Sequence, residues 1–526
     1  MAHKLTLNLD VFSPLPLYLQ IASQVKTAIE ANRLSPGEKL PSIRDFAKQL
    51  QLSQSTIREA LDKLIEWKLV ISRPGSGNFV AKAERNHTDT AANEVLSSAK
   101  DDPTNSQIDQ SSFSLPTFVG VLHDLDPSIH WSRHTQRANQ SFNEHPFHPW
   151  WNTQLTYDFR SWESSFDFMQ GPRWEKIITS WTAKLNALPQ GYSDAAGLPE
   201  LRRKVADWLN RTRSLNCSAD DLLITTGAQQ CRDLIAQIAI DEESKVVVEE
   251  PASITDILAY ETRGATLIHI AQDRNGIKTE LLKDVKADLA HIISTANFPT
   301  GYCLSETRRN QILDWAEANQ TLIVEDAYGA GFYYNNPEAT LYQLAQQRNL
   351  ADFVIYHGSF SQPFMPALRI GYALVPPWLK HIYFRTKWLN DRHPSTITQT
   401  LLLELFSDGF FEDHFLKLTA AAAQRRKTLL KELTLWPVDL VHFDEVKAGF
   451  HQSIWFKPEK QIDDLLVFER AMKEDIGVIP LSPYFLSDEK RTGLLLNFLG
   501  MPEKQITDGC RKLLSVILSC SNSLLR

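Results

Sequence analysis

The sequence predicts an α/β protein with two folded parts: a small helical module that ends in a β-hairpin, and a large domain built on a mostly parallel sheet. Three observations lead to this prediction. The chain has 526 residues, more than one hydrophobic core normally supports. Its composition, 43% hydrophobic and 22% charged, is typical of globular proteins. From about residue 150 onwards helical and strand patterns alternate, as they do in parallel sheets covered by helices.

Composition also excludes several classes of protein. No apolar run approaches the ~18 residues that a membrane-spanning helix needs, and Met1–Phe12 lacks the apolar segment of a secretory signal. The five cysteines are scattered without a Cys-x-x-Cys pair, which argues against a disulfide framework or a cysteine zinc site. We therefore expect a cytoplasmic protein.

Charge is divided unevenly along the chain. Residues 1–80 hold 10 Lys and Arg against 7 Asp and Glu, a net charge of +3. The remaining residues hold 45 basic against 56 acidic side chains, a net charge of −11. A small basic module on an acidic body indicates that the module binds an anionic partner.

The N-terminal module, residues 1–81, is called the head below. Apolar spacing and turn residues predict helices over 14–33, 43–50 and 53–67 and strands over 69–73 and 78–81. Ser42 and Ser53 are placed as N-caps of the second and third helices. The strands are joined by Pro74-Gly75-Ser76-Gly77, whose glycines let backbone N–H groups approach a phosphate closely. These elements predict a winged helix-turn-helix.

The head resembles the GntR-type winged helix-turn-helix over about 70 residues. The matching segments are Pro16–Ile21, Pro36–Arg44, Ser53–Ala60 and Gly75–Val80. The resemblance implies a DNA-binding surface made of Arg44, Gln54, Ser55, Thr56, Arg58 and the wing tip Gly75, Ser76 and Gly77. The family usually has Arg where this chain has Gln54, which indicates a different operator preference. A three-helix module that binds protein instead of DNA is the alternative.

A linker is predicted after the head. Residues 82–115 are rich in small and polar residues and have no sustained periodicity, which is typical of a flexible interdomain segment. An aromatic and His-rich stretch follows, in which His130 and His134 have the i, i+4 spacing of two metal ligands on a helix. No clear carboxylate or Cys partner is nearby, so ordinary packing is preferred over a zinc site.

Residues 116–526, called the body below, show the alternating pattern. Helices are predicted over 173–188, 198–213 and 226–240, and strands over 221–225, 245–249, 291–294, 321–326, 352–356 and 371–375. Ligands of such sheets bind beyond the carboxyl ends of the strands. Gly227, Ala228 and Gln229 begin a helix directly after a strand, so the free N–H groups and the helix dipole favour a phosphate there.

These segments resemble the fold-type I aminotransferases, and head and body together are similar to the MocR-type subfamily of GntR regulators. The resemblance covers almost the whole chain apart from the linker. The segments that carry it are Gly191–Arg202, Ile224–Gln230, Phe298–Gly301, Glu325–Tyr328, Gly358–Gln362 and Pro366–Tyr372.

The resemblance implies a pocket for pyridoxal 5'-phosphate. Residues at the matching positions converge on the phosphate in this family: Tyr192, which reaches it from the partner subunit, Gly227, Ser359, Ser361 and Arg369. Asp326 would lie at the pyridine nitrogen and Tyr328 near the phenolic oxygen. A head-to-tail homodimer is implied by the role of Tyr192.

Several departures from the family pattern decide the predicted function. Gln362 stands where the family has its Schiff-base lysine, and an amide cannot form an imine. No lysine occurs from 287 to 379. Ser253 replaces a stacking ring, and Leu495 stands where many aminotransferases carry the arginine that binds a substrate carboxylate. Asn297 stands where the family often has the Gln of a His-Gln pair, and we expect it to be a pocket residue.

The leading hypothesis is a DNA-binding transcription regulator. Its body would be a catalytically inactive sensor and dimerisation module with an unknown small-molecule effector and no covalently bound cofactor, while noncovalent binding of pyridoxal phosphate stays open. The second hypothesis is an active pyridoxal-phosphate-dependent aminotransferase fused to a DNA-binding domain. A third keeps DNA binding and makes the body a protein-interaction platform without a ligand.

Overall fold

The structure is a computed structural model, and its chain divides into two compact units, Met1–Ser112 and Phe113–Arg526. It describes residues 17–30, 34, 37–50, 52, 54–67, 69–73, 77–81, 132–133, 135–137, 140, 155–160, 171–186, 191–487 and 490–522. The predicted linker 82–115 and the pair His130 and His134 lie outside the described residues.

The head has the three helices and the hairpin that the sequence predicts. They are α1 (Leu17–Glu30), α2 (Ile43–Leu50), α3 (Gln54–Glu66), β1 (Val70–Arg73) and β2 (Gly77–Val80). The helices pack around buried apolar side chains that include Ile21, Phe46 and Leu64. α2 begins where predicted because the hydroxyl of Ser42 accepts a hydrogen bond from the backbone N–H of Asp45 at 3.1 Å.

The wing of the head is larger than the sequence predicts. β1 and β2 pair antiparallel, with Ser72 opposite Asn78. The backbone N–H of Leu40 donates to Asn78 O, and that of Val80 donates to Glu38 O, both at 2.9 Å. The segment before α2, predicted as a turn, therefore adds an extended edge to the hairpin, because its N–H and C=O groups satisfy the free edge of β2.

The body contains eleven described α-helices. They are α4 (Pro172–Leu185), α5 (Pro199–Arg213), α6 (Ala228–Ala239), α7 (Ile254–Glu261), α8 (Glu306–Asn319), α9 (Leu341–Gln347), α10 (Pro377–Asp391), α11 (Thr396–Leu405), α12 (Phe410–Leu433), α13 (Asp464–Lys473) and α14 (Glu503–Asn522). Among the helices that the structure describes in head and body, each is too short or too polar to cross a membrane.

A large mostly parallel sheet organises the body, which confirms the predicted fold class. Its strands are β4 (Leu222–Thr225), β5 (Lys245–Glu250), β6 (Thr266–Asp273), β7 (Gly276–Ile277), β8 (Leu289–Ile292), β9 (Leu322–Asp326), β10 (Val354–Ser359) and β11 (Gly371–Leu374), with β3 (Tyr157–Asp158) outside it. The spatial order is β4-β11-β10-β9-β8-β5-β6-β7. β10, β9, β8, β5 and β6 run parallel, and β11 runs antiparallel to both of its neighbours. The carboxyl ends of β4, β9 and β10 thus meet at one edge.

A second, smaller sheet follows in the chain and was not predicted from the sequence. It joins β12 (Val441–His442), β13 (His451–Phe456), β15 (Ile479–Pro480) and β16 (Gly493–Asn497) in antiparallel pairs, while β14 (Ile476–Gly477) pairs with β3. Its apolar side packs with α12 and α14 around a separate core that includes Phe450, Leu494 and Leu513. Its strands β12 and β15 have two residues each, and β13 begins with the polar run His451-Gln452-Ser453, so neither a period nor an apolar run marks them in the sequence.

Candidate functional site

A cavity of about 720 Å³ lies where three strands of the large sheet end. β4 ends at Thr225, β9 at Asp326 and β10 at Ser359, and ligands of parallel sheets bind at this edge. Eight residues predicted from the sequence line the cavity: Ala228, Gln229, Asp326, Tyr328, Ser359, Ser361, Gln362 and Arg369. The fold therefore gathers most of the predicted pocket residues around one space.

One end of the cavity has the chemistry of an anion site. Gly227 precedes α6 with φ 107°, a conformation that favours glycine. A Cβ there would lie 3.0 Å from Nη2 of Arg369, so glycine also makes room for the guanidinium beside the helix N-terminus. Ser359 Oγ donates to Ser361 Oγ at 2.8 Å, and the Ser361 N–H donates to Ser359 Oγ at 3.0 Å. The first-turn N–H groups, the helix dipole and the Arg369 cation together favour a phosphate.

Asp326 is bonded to a buried arginine. Its Oδ2 lies 2.8 Å from Nη1 of Arg232, and its Oδ1 accepts the backbone N–H of Tyr328 at 2.9 Å. Nη2 of Arg232 lies 3.0 Å from Oδ1 of Asp256, so one guanidinium serves two carboxylates. All three charged residues are more than nine-tenths buried. Burial raises the pKa of Asp256, although the neighbouring guanidinium acts in the opposite direction.

Two buried histidines flank Asp326 on neighbouring strands. Nε2 of His291 on β8 and Nε2 of His357 on β10 lie 3.9 and 3.7 Å from its Oδ2. Burial lowers the pKa of His291 to about 4 and that of His357 well below its ordinary value, so both rings are neutral at neutral pH. The ligand atoms of the three residues lie within 4.8 Å of one another. Because the Arg232 cation already occupies Oδ2, we assign no metal to this cluster.

Tyr328 is a neutral phenol on the cavity wall. Its hydroxyl lies 3.5 Å from Nδ1 of His451. Burial raises the pKa of Tyr328 well above its ordinary value and lowers that of His451 to about 4. Neither group is ionised at neutral pH, so both offer hydrogen bonds to a ligand rather than charge.

Gln362 lines the cavity wall. The sequence predicts that this residue stands at the position of the family's imine-forming lysine. Among the described lining residues the one lysine is Lys490, an exposed residue shortly before β16. Lys490 was not predicted from the sequence, because its position depends on the small sheet.

The two other positions that the sequence predicts to be replaced lie in different surroundings. Ser253 precedes α7 and lines the cavity, where its hydroxyl lies 2.8 Å from that of Thr255. Leu495 is fully buried in β16 within an apolar cluster that contains Phe298 and Trp455. Neither position offers a ligand an aromatic ring or a cation.

Two predicted pocket residues lie away from the cavity wall. Tyr192 is 77% exposed, and the Arg392 guanidinium lies 4.6 Å from the centre of its ring. Asn297 is buried, donates to Oε2 of Glu249 at 2.8 Å and accepts from Nε2 of Gln272 at 3.0 Å. Asn297 therefore anchors the loop after β8 to its surroundings instead of facing a ligand.

Five charged residues of the wall were not identified from the sequence: Arg160, which pairs with Asp158, Arg213, Arg232, Asp256 and Lys490. Arg213 is nine-tenths buried and donates to the hydroxyls of Tyr356 and Tyr372 at 2.5 and 2.9 Å. Arg232 could have been found from the sequence as a charged residue among apolar ones, because it lies next to Cys231 and close to Leu234 on the buried face of α6. Nothing in the sequence linked it to Asp256 on the next helix.

The predicted DNA-binding residues lie on α2, α3 and the wing. In the first turns of α3, Arg58 is exposed and Thr56 is partly buried. The backbone alone is described for Arg44, Gln54 and Ser55, and Gly75 and Ser76 lie outside the described residues. Gly77 begins β2 with φ 107°, and a Cβ there would lie 3.1 Å from Cε of Lys39. Lys39 thus adds a cation beside the wing that the sequence had not indicated.

Comparison with known proteins identifies both parts. The family described as bacterial regulatory proteins, gntR family, matches residues 17–80, and aminotransferase class I and II matches residues 177–512. The probable rhizopine catabolism regulatory protein MocR of Rhizobium meliloti is 23% identical over 98% of this chain and 97% of its own length. The uncharacterized HTH-type transcriptional regulator YdeL of Bacillus subtilis is 24% identical over 95% and 96%.

Solved structures match the body. The α-aminoadipate aminotransferase LysN of Thermus thermophilus, in complex with N-(5'-phosphopyridoxyl)-L-leucine, has a TM-score of 0.67 and 22% identity, and covers 76% of this chain and 100% of its own. A multiple substrate aminotransferase of Thermococcus profundus has a TM-score of 0.64 and 22% identity, and covers 75% and 97%. These likenesses establish the fold of the body.

Fold and site define a GntR-type DNA-binding domain followed by an aminotransferase-like domain, which is a class of transcription regulators. Within that class, the chain belongs to the MocR-type members of the GntR family, with a body of the aminotransferase class I and II family.

Proposed function

We propose that the body is not an enzyme, and that it senses a small molecule and dimerises to control DNA binding by the head. The observation that carries the proposal is Gln362 on the cavity wall, at the position of the family's imine-forming lysine. Transamination needs an amine that attacks an aldehyde, and the amide nitrogen of Gln362 is neither basic nor nucleophilic.

The side chains present fit part of the family's cofactor. Gly227, Ser359, Ser361 and Arg369 offer the N–H groups, hydroxyls and cation that a phosphate needs. Tyr328 is also present for the phenolic oxygen, but the imine position is an amide, the stacking position is Ser253, and Asp326 is already bonded to a guanidinium. We infer that pyridoxal phosphate is not covalently bound, and that noncovalent binding would depend on its phosphate.

The enzyme hypothesis would need another amine at the cavity. Lys490 is the one lysine among the described lining residues, and it is exposed. A lysine that serves as a nucleophile near neutral pH needs a desolvated or cationic environment that lowers its pKa. The exposure of Lys490 favours the sensor hypothesis.

We further propose that the body forms a homodimer through α10 and the surface near Tyr192. Trp378, Ile382, Trp388 and Leu389 of α10 are between 47% and 79% exposed. Several large apolar side chains exposed on one helix are typical of a protein interface. Tyr192 is exposed and outside its own cavity, as expected if it serves the cavity of a second copy.

Chemical trapping separates the sensor from the enzyme. The full chain would be incubated with pyridoxal phosphate, reduced with borohydride and mapped by peptide mass spectrometry. The wild type is expected to carry no cofactor mass in residues 287–379 or on Lys490. Gln362→Lys is the positive control for imine formation, and Lys490→Met controls for surface labelling. A stoichiometric adduct on the wild type at either place would overturn the proposal.

A thermal-shift screen separates the sensor from a protein-interaction platform. A ligand that binds only the native state raises the unfolding free energy by RT ln(1 + [L]/Kd), about 2.7 kcal/mol at 100 times Kd. We expect phosphorylated small molecules to raise the melting temperature of the wild type, and Arg369→Leu to abolish that shift. A platform without a ligand would show no shift with any phosphate.

A further inference from the structure

Arg232 lies on the cavity wall beside Asp326, the residue that the resemblance places at the ring nitrogen of the cofactor. Its Nη1 lies 2.8 Å from Oδ2 of Asp326, the carboxylate that would face that nitrogen. Its Nη2 lies 3.0 Å from Asp256 and also 3.0 Å from Oε1 of Gln229. The guanidinium lines the cavity, is more than nine-tenths buried, and its Nε has no hydrogen-bond partner among the described residues.

The charges on the described wall are strongly asymmetric. Its two carboxylates, Asp256 and Asp326, are both bonded to Arg232. Three cations of the same wall, Arg213, Arg369 and Lys490, form no ion pair within the described residues. No described carboxylate is therefore left for a positively charged ligand, whereas several cations are left for an anionic one.

We propose that the Arg232 guanidinium supplies the positive charge that a ligand's protonated ring nitrogen would otherwise bring to Asp326. This fixed charge determines which class of ligand the cavity binds. The ligand is a phosphate monoester whose body carries no positive charge. Its phosphate lies at the Gly227–Arg369 end, and its neutral or anionic body lies against the Arg232 guanidinium. This inference rests on the proposed sensor role, since it assumes that the cavity binds a ligand at all.

Electrostatics explains why a pyridinium is rejected. A protonated ring nitrogen placed against Asp326 would share one carboxylate with Arg232, and the two cations would repel each other beside residues that are more than nine-tenths buried. The guanidinium cannot lose its proton to relieve this repulsion. A neutral ring or a sugar-like body meets no such cost, and its acceptor atoms can use the free N–H of Arg232.

A matched pair of probes tests the inference. Pyridoxine 5'-phosphate has a basic ring and no aldehyde, and 3-hydroxybenzyl phosphate has a phenol ring of similar size without the nitrogen. The affinities of the full chain for both would be measured by isothermal titration calorimetry. Comparing the ratio of the two dissociation constants between variants cancels the intrinsic difference between the probes.

Two variants remove the fixed charge of Arg232. Arg232→Leu leaves two buried carboxylates unpaired, so Arg232→Leu/Asp256→Ala is included as a variant that balances the charge. We expect either change to shift the ratio by tenfold or more in favour of pyridoxine 5'-phosphate. Arg263→Leu is the matched control, because Arg263 pairs with Asp233 at 3.2 Å away from the cavity wall, and it should leave the ratio unchanged.

The results distinguish a failure of this inference from a failure of the proposed sensor role. An unchanged ratio in both Arg232 variants would overturn the inference while leaving the sensor role intact. If the wild type binds neither probe nor inorganic phosphate, the phosphate end is wrong, and the sensor role and the inference both fail. Arg369→Leu should weaken both probes equally, which ties the measured binding to this cavity.

Discussion

Removing the guanidinium of Arg232 should destabilise the body strongly. Arg232→Leu leaves Asp256 and Asp326, which are 9% and 4% exposed, without the cation that lies 3.0 and 2.8 Å from them. Breaking a buried ion pair by removing one partner costs about 3–5 kcal/mol, because a buried charge is left uncompensated. We expect a loss of unfolding free energy within that range.

The double variant Arg232→Leu/Asp256→Ala identifies the cause. It leaves one unpaired carboxylate instead of two, so it should recover about 1–2 kcal/mol of the loss. The loss in Arg232→Leu should also shrink as pH falls from 8 to 5. Unpaired buried carboxyls have a folded-state pKa above their unfolded value, so protonation stabilises the folded state at low pH and this stability disappears as pH rises.

Urea denaturation followed by tryptophan fluorescence at pH 8 and pH 5 measures these effects. Arg263→Leu serves as the control, because its partly exposed pair should contribute no more than about 1 kcal/mol. A loss below about 1 kcal/mol in Arg232→Leu would refute the reasoning. So would a double variant that is less stable than the single one.

Three further predictions concern the head, the dimer and a buried acid. Arg58→Ala and Arg44→Ala should each weaken operator binding and lower the slope of log K against log salt by about 1, measured by fluorescence anisotropy across salt concentrations; wild-type affinity and slope in both would show that the recognition face is wrongly assigned. The full chain should sediment as a dimer at micromolar concentration and Leu389→Asp as a monomer, whereas a monomeric wild type would contradict the proposed interface. Burial raises the pKa of Glu249 to about 8, so the wild type should lose stability as pH rises from about 4.5 to 8. Glu249→Gln should remove most of that loss, up to about 5 kcal/mol, in denaturation curves at several pH values; an unchanged pH dependence would refute it.

Local patterns in the sequence were enough to predict most of the fold. Ser42 marked the start of α2 because its capping hydrogen bond is local in sequence. Six of the eight strands of the large sheet were predicted, because they are mostly buried and contain short apolar runs, as in Lys245–Glu250. β6 and β7 were missed; β6 has one buried residue, Ile270, and β7 has two residues. The small sheet was missed, since strands such as Val441–His442 are too short to show a period.

The candidate site was only partly predictable. Gly227 and Arg369 could be placed because they belong to segments that match a known family. The ion pair of Arg232 with Asp256 could not, because it depends on how α6 packs against α7 and neither helix shows this by its own pattern. Lys490 was missed for a similar reason, since a turn of the small sheet brings it to the cavity. These positions are specific to this chain, and the ligand class depends on them.

Product formation by the purified full chain tests the central claim most directly. The chain would be incubated with pyridoxal phosphate, a mixture of amino acids and an α-keto acid acceptor, and new amino and keto acids would be quantified by mass spectrometry. The account predicts that the wild type yields no more product than the protein-free reaction, because Gln362 cannot form the required imine. Turnover by the wild type at about 1 s⁻¹ or faster, the range of ordinary enzymes, would contradict it and establish the body as an active aminotransferase.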